Sequence, residues 1–541
     1  MAWVSDILTI TLCVSALLAA VWPPDERRNL GMYLLAYKGS GKSRLMGRVI
    51  CLGDLLRGIP QLVIDGVGGL IDNVLDTILR LPPVQRRTVL KRLRYFDMSG
   101  RKYTHHVCPL PLFYRLGQES WADIAARYLD TVIALDNQLV NAPILGANAL
   151  WHIGLPTNMI LAASGLQISE ALALLNQPRE YKAWLKALAQ TTPDRRLLRA
   201  IDFYRQDYMG WDGKKRSTET GSYQRKLELL LRDNAALACF GAAQPGFDLH
   251  TVEKRGQTIL LDFSGDQLNS ELMMFKMKWT FDYFLNYIKH RGTGLHHRPF
   301  GLVIDEIAML SQLDATSSGD QDIFATQIDD LLNIWSRQGM IWLTLANQER
   351  FQISPKLFKT LMGCGTIICG LTSDWEAAVY LAQEFMPPQP HRIKRYDPIY
   401  EGDGTVKHYR QIDMGLDEQL QQSAALFKNL LKFHFLVKEV GNPKLWPLDT
   451  TTLDPGIYPD GGRLAEVKAM LNERCGRPTP DILADIDARQ TVLRAGLLGQ
   501  PQMKSAARSA NLEADEQRPT DDAAIDLPPA TGADNDFWQK R

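Results

Sequence analysis

Between Asn29 and Ile50 the chain reads NLGMYLLAYKGSGKSRLMGRVI, and this stretch limits the fold more tightly than any other. A β-prone apolar run, Met32 to Tyr37, empties into Lys38-Gly39-Ser40-Gly41-Lys42-Ser43 and then into helix-forming sequence from Arg44 to Leu56. Strand, glycine-rich loop and helix in this order build a phosphate-binding loop. The glycines let successive backbone N–H groups curl round a phosphate, and the helix N-terminus adds its dipole. In this reading Lys38, Gly39, Ser40, Gly41, Lys42, Ser43 and Arg44 form the cradle. Lys42 reaches the terminal phosphates as a catalytic group and the Ser43 hydroxyl ligates Mg²⁺, so the implied cofactors are ATP and Mg²⁺. One position departs from the G-x-x-x-x-G-K-[ST] spacing: the leading glycine is Ala36.

A second stretch, Pro299 to Ile307, is an apolar strand ending in Asp305-Glu306. Alone, such acids read as helix caps; paired with Lys42 and Ser43, they complete an ATPase. Asp305 is placed to hold Mg²⁺ through water, and Glu306 to polarise the water that attacks the γ-phosphate. Downstream, the strand Met340 to Leu345 ends at Asn347-Gln348. Gln348 is the candidate sensor of the γ-phosphate, against the alternative of an ordinary polar strand end. Arg337, just before that strand, is the candidate arginine finger for a neighbouring subunit; the helix macrodipole explains an arginine there equally well.

Length and composition set the frame. A chain of 541 residues exceeds what one core usually organises, so two domains, or one with large insertions, are expected. Lysine plus arginine equals aspartate plus glutamate, 61 of each, which excludes a global basic field; a polyanionic partner would be met by a local surface. Seven cysteines without a C-x-x-C pair argue against disulfides and zinc, and Cys364 and Cys369 read as core.

The expected order is a candidate membrane helix in 1–28, a first motor segment in 29–115, an all-α insertion in 116–232, a second motor segment in 233–440, a helical and loop-rich extension in 441–501 and a disordered tail in 502–541. Ile7 to Trp22 is uncharged and barely long enough to span a bilayer, and a buried helix is the competing reading. Strands at Gln61 to Asp65, Leu93 to Asp97, Gln257 to Phe263 and Gly365 to Gly370 alternate with helices, which predicts a parallel sheet with helices on both faces. Tyr208 to Tyr223, with Lys214-Lys215-Arg216, reads as an exposed loop, and Pro387 to Val406 as irregular. Adjacent His105 and His106 point to opposite faces of a strand and are poorly placed to share a metal.

The order of parts resembles the RecA-like motor of the FtsK/HerA superfamily, and within it the conjugative coupling proteins of type IV secretion. The resemblance is carried by the phosphate loop and by LVIDGVGGLID (Leu62 to Asp72), YFDMSGRKYTHHVCPL (Tyr95 to Leu110), LLDFSG, LVIDEIAML and RQGMIWLTLANQ, spanning Asn29 to Val440. It implies an α/β fold, a RecA-like P-loop motor with a mostly parallel central sheet and an inserted all-α domain. It further implies ATP hydrolysis coupled to DNA translocation and a homo-hexameric ring. The implied partners are secretion-channel and relaxosome proteins, and the implied location is the cytoplasmic face of the inner membrane through a single N-terminal anchor, or the cytoplasm if residues 7–22 form a buried helix. The implied roles map onto Gly39, Gly41, Lys42, Ser43, Asp305, Glu306 and Gln348. Two other readings compete with that one. They are a soluble HerA-like DNA-processing ATPase and a nucleotide-dependent receptor or scaffold for protein cargo.

Overall fold

A computed structural model describes residues 25–99, 102–103, 105–116, 119–139, 150–265, 270–294, 297–311, 323–402, 404–442, 444–451 and 461–495. Thirteen strands occur among them. They are β1 Met32–Leu35, β2 Gln61–Asp65, β3 Leu93–Asp97, β4 His106–Val107, β5 Thr258–Asp262, β6 Phe300–Asp305, β7 Ile341–Asn347, β8 Thr366–Cys369, β9 Ile393–Tyr400, β10 Val406–Asp413, β11 His434–Glu439, β12 Trp446–Asp449 and β13 Arg477–Pro478. Nine of these form one sheet in the order β12-β11-β8-β1-β7-β6-β2-β5-β3. Only β11 runs against its neighbours. The fold is therefore α/β with a mostly parallel central sheet, as the alternation of strands and helices predicts.

Burial on both faces explains why the central strands are continuously apolar rather than alternating. Along β1, Tyr33 and Leu35 enter one core while Met32 and Leu34 enter the other. The second core is closed by the helical run 42–57, by Gly69–Arg80 and Pro83–Arg92, and by Gly461–Cys475 from the far end of the chain. The first core is larger. It continues without a break from helix Ser270–Arg291 into the helices lying between β4 and β5. Those helices run from Trp121 to Arg255. The last helix, Thr479–Arg494, docks on them through a buried Arg489–Glu170 ion pair at 3.1 Å.

Two local readings are corrected. The expected exposed loop at 208–223 is largely helix, Gly213–Leu230. Asp212 caps it by accepting from the Lys215 N–H, and Thr220, Tyr223, Leu227 and Leu230 recur at three- and four-residue spacing on its buried side. Its polar composition hid that spacing. The expected irregular stretch 387–406 contains β9, which pairs with β10 in an exposed antiparallel ribbon, so its charged and tyrosine side chains carry no buried alternation. The strand β12 was not expected either. Ile7 to Trp22 and the tail after Gln502 lie outside the described residues; among the described residues no helix is long and apolar enough to cross a membrane.

One buried ion pair ties the first turn of the described chain to the phosphate-loop helix. Arg28 donates to both carboxylate oxygens of Asp54 at 2.6 and 2.9 Å, and its guanidinium lies 4.3 Å from the Trp342 ring. Burial pushes the Asp54 carboxyl up, and Arg28 pulls it partly back. Removing one member strands a buried charge, so Asp54→Ala is expected to cost about 3–5 kcal/mol in urea unfolding, whereas Arg28→Met with Asp54→Leu recovers most of that loss.

Candidate functional site

The loop Lys38 to Ser43 leaves the carboxyl end of β1, and the helical run 42–57 begins at once. Gly39 and Gly41 sit at φ 83° and 103°, backbone that a side chain disfavours, and this is why glycine occurs there. Gly41 is the cap residue of the helix, and the first N–H groups of that helix have no partner within it. Such a terminus attracts anions. The missing leading glycine is accommodated by a neighbour: Ala36 is buried against Gly370, where an added Cβ would lie 2.8 Å from the Ala36 methyl. Gly370, at the end of β8, leaves room for the Ala36 side chain.

Strand β7 lies between β1 and β6, so the acids of β6 and the tip of β7 end beside the loop. Lys42 Nζ is 3.0 Å from Asp305 Oδ1 and 3.5 Å from Glu306 Oε2. Ser43 Oγ donates to Asp305 Oδ2 at 2.9 Å. Lys42 Nζ, Asp305 Oδ1 and both Glu306 oxygens are buried without a well-formed hydrogen bond among the described residues, held by charge alone.

The register of the sheet explains why Asp305 is available. Asp97, Asp262, Asp65 and Asp305 end four adjacent parallel strands in line. Three are consumed locally. Asp97 accepts from Ser99 and Tyr103; Asp262 accepts from Tyr95, Ser264 and Lys468; Asp65 accepts the N–H groups of Val67, Gly68 and Ile71. Asp305 alone faces the phosphate loop. Ser43 and Asp305 fit Mg²⁺, a hard cation that takes oxygen ligands: a hydroxyl and a carboxylate meet at the phosphate loop, 2.9 Å apart.

Glu306 follows Asp305 at φ 70°, a left-handed conformation that costs a residue with a Cβ about 1–2 kcal/mol. The turn is fixed by the Ile307 N–H donating to Ala346 O at 2.8 Å. Strain of this kind persists where the surroundings over-determine it, and here it swings the carboxylate toward Lys42. Burial raises the Glu306 pKa, Lys42 and the Gln348 amide lower it, and the charge of Asp305 raises it again. Gln348, one residue beyond β7, is thus brought to Glu306.

The remaining expected residues are placed as follows. Lys38 and Gly39 are exposed on the loop, the Ser40 side chain is buried, and the Arg44 guanidinium lies 4.2 Å from the Phe433 ring. Arg337 is exposed before β7, at the opposite end of the sheet, about 20 Å of strand away from the loop of its own chain. The structure does not bring it to this site. Sequence reasoning missed two neighbours, Asp65 beside Asp305 and Phe433 against Gly41; the available signal for the first was the repeated apolar-run-then-Asp pattern.

No family model and no curated protein matches this chain. Among solved structures it is similar to the plasmid coupling protein TrwB in complex with ADP and Mg²⁺, at 13% identity and a TM-score of 0.45, covering 79% of this chain and 86% of that one. TrwB in complex with a non-hydrolysable GTP analogue gives 13% and 0.44 over the same shares. VirB4 of Thermoanaerobacter pseudethanolicus gives 12% and 0.42, covering 77% of this chain and 88% of that one.

Two outcomes follow from the strand-end geometry. Because a glycine relieves the left-handed strain and an alanine does not, Glu306→Gly is expected to unfold about 1 kcal/mol later than Glu306→Ala in matched denaturant titrations. The Asp65 carboxyl is pushed up to about 7, by burial first and by the Asp305 charge second, against the pull of its backbone N–H partners. The unfolded chain loses that proton near pH 4, so the stabilisation is full below that pH and is lost as pH rises through about 7. In nucleotide- and magnesium-free protein, Asp65→Asn should flatten the decline in stability between about pH 4 and 7, by up to about 1.4 kcal/mol per pH unit.

Proposed function

We propose that this chain is a Mg²⁺-dependent ATPase whose hydrolysis drives movement of DNA, of the conjugative coupling type. The single observation that carries the ATPase reading is the strained Glu306 beside Asp305, Lys42 and Gln348 at the mouth of a phosphate loop. A loop that only bound nucleotide would have no need of a buried carboxylate held at φ 70° next to its lysine.

In this reading the loop N–H groups and Lys42 bind the triphosphate and neutralise its charge. Ser43 and Asp305 would hold Mg²⁺, which would supply positive charge against the phosphates. Glu306 orients the attacking water and accepts its proton. A carboxyl whose pKa is already raised by burial is a stronger base for that purpose than an exposed glutamate. Gln348, beside Glu306, reports the state of the reaction to β7. Arg337 is exposed at the far end of the sheet, away from its own chain's loop; as an arginine finger it would serve a neighbouring subunit's nucleotide, so a ring of subunits is part of the proposal.

The DNA half of the reading is supported by the order and spacing of the motifs from Asn29 to Val440. With balanced net charge, DNA contact must come from a local surface and should weaken steeply with salt. Steady-state ATP hydrolysis by the full chain, with and without single- and double-stranded DNA, tests both halves. Glu306→Gln is expected to lower kcat at least about 100-fold while retaining nucleotide binding. Hydrolysis that persists in this variant would reject the assigned base. Hydrolysis indifferent to DNA would leave an ATPase but reject the translocase.

A further inference from the structure

Phe433 lies 392 residues beyond Gly41 in the chain and in contact with it in space. A Cβ added to Gly41 would stand 2.4 Å from a Phe433 ring carbon, so the ring occupies the place a side chain would take. The ring is flanked by cations from both segments. The Arg44 guanidinium lies 4.2 Å from its centroid and Lys432 Nζ 4.9 Å. Such contacts favour the aromatic residue over an aliphatic one.

The backbone of Phe433 is as informative as its ring. It sits at φ 70°, one of four residues other than glycine with positive φ among the described residues, Glu306 being another. Three hydrogen bonds hold it there. Its N–H donates to Ser40 O at 2.8 Å, and its carbonyl accepts from the N–H and from Oγ1 of Thr450, each at 2.9 Å. Thr450 is fully buried at the end of β12. The antiparallel pair β11–β12 therefore presents Phe433 rigidly to the phosphate loop.

A trans peptide is planar, and its C=O and N–H point in opposite directions. No cis bond occurs among the described residues. With the Ser40 carbonyl held toward Phe433, the Gly41 N–H of the same peptide must point away from Phe433. We propose that Phe433 is a positioning residue for nucleotide binding, fixing the Ser40–Gly41 peptide so that the Gly41 N–H faces the phosphate cradle. It touches neither phosphate nor metal. It acts through Gly41 and Arg44, and it makes the edge pair β11–β12 part of the site. This assignment rests on the nucleotide reading above.

The test uses the full chain, with Mg²⁺ and the β,γ-imido analogue of ATP for equilibrium binding and ATP for steady-state kinetics. Phe433→Ala should weaken binding and raise KM about tenfold through lost preorganisation, with a much smaller change in kcat, while Phe433→Tyr stays near the parent. Phe433→Gly removes the ring and also relieves the positive φ. It is expected to weaken binding equally in a chain at least as stable as Phe433→Ala, which separates positioning from a folding defect. Gly41→Ala drives a methyl into the ring, so it should cost less on the Phe433→Ala background than on the parent, a non-additivity diagnostic of direct contact. A parent that binds the analogue while Phe433→Ala binds it as well, or strict additivity in the cycle, would overturn the positioning role alone. A parent that does not bind it would overturn the nucleotide reading and this assignment together.

Discussion

A carboxylate buried at the end of a strand must find donors, and the ends of four adjacent strands here carry one each. Asp97, Asp262 and Asp65 satisfy the requirement with the turns that follow them and with Lys468 from helix Gly461–Cys475. Asp305 does not cap its own turn, because the next residue is the left-handed Glu306. Its donors come instead from Lys42 and Ser43 on the other side of β7. This one difference among four similar strand ends turns a row of structural aspartates into a site with one acid turned to the phosphate loop, and the strain at Glu306 supplies the second.

The same constraint ties distant parts of the chain to the site. Lys468, on Gly461–Cys475, bridges Asp262 and Asp72. Phe433 and Thr450, next to the ends of β11 and β12, hold the loop from the opposite flank. Three segments far from the phosphate loop in sequence thus stabilise one end of the sheet. Substitutions in the last third of the chain can therefore reach the phosphate loop through packing and hydrogen bonds, with no need for contact with a ligand.

Much of the fold was legible because buried parallel strands are nearly continuous apolar runs, and Leu62 to Asp65, Ile259 to Asp262 and Leu302 to Asp305 announce themselves that way. Helix Gly213–Leu230 was not legible by composition, since Gly, Lys, Arg, Ser and Thr fill its exposed side and only four spaced residues mark the buried one. The ribbon β9–β10 escaped for the opposite reason. It buries neither face, so no alternation of apolar and polar residues was required of it.

What the sequence determined by itself was local chemistry: glycines where φ must be positive, Lys42-Ser43 at a helix start, and Asp305-Glu306 at a strand end. These depend on backbone conformation and on residues close in the chain, and so can be read in order. Which aspartate turns to the phosphate loop, what compensates Ala36, whether Arg337 can reach its own loop and what lies over Gly41 were decided only by tertiary structure. Each depends on the register of strands or the approach of segments separated by hundreds of residues. Gly370 beneath Ala36 and Phe433 above Gly41 leave no local pattern, because contact across a sheet is a property of packing rather than of spacing.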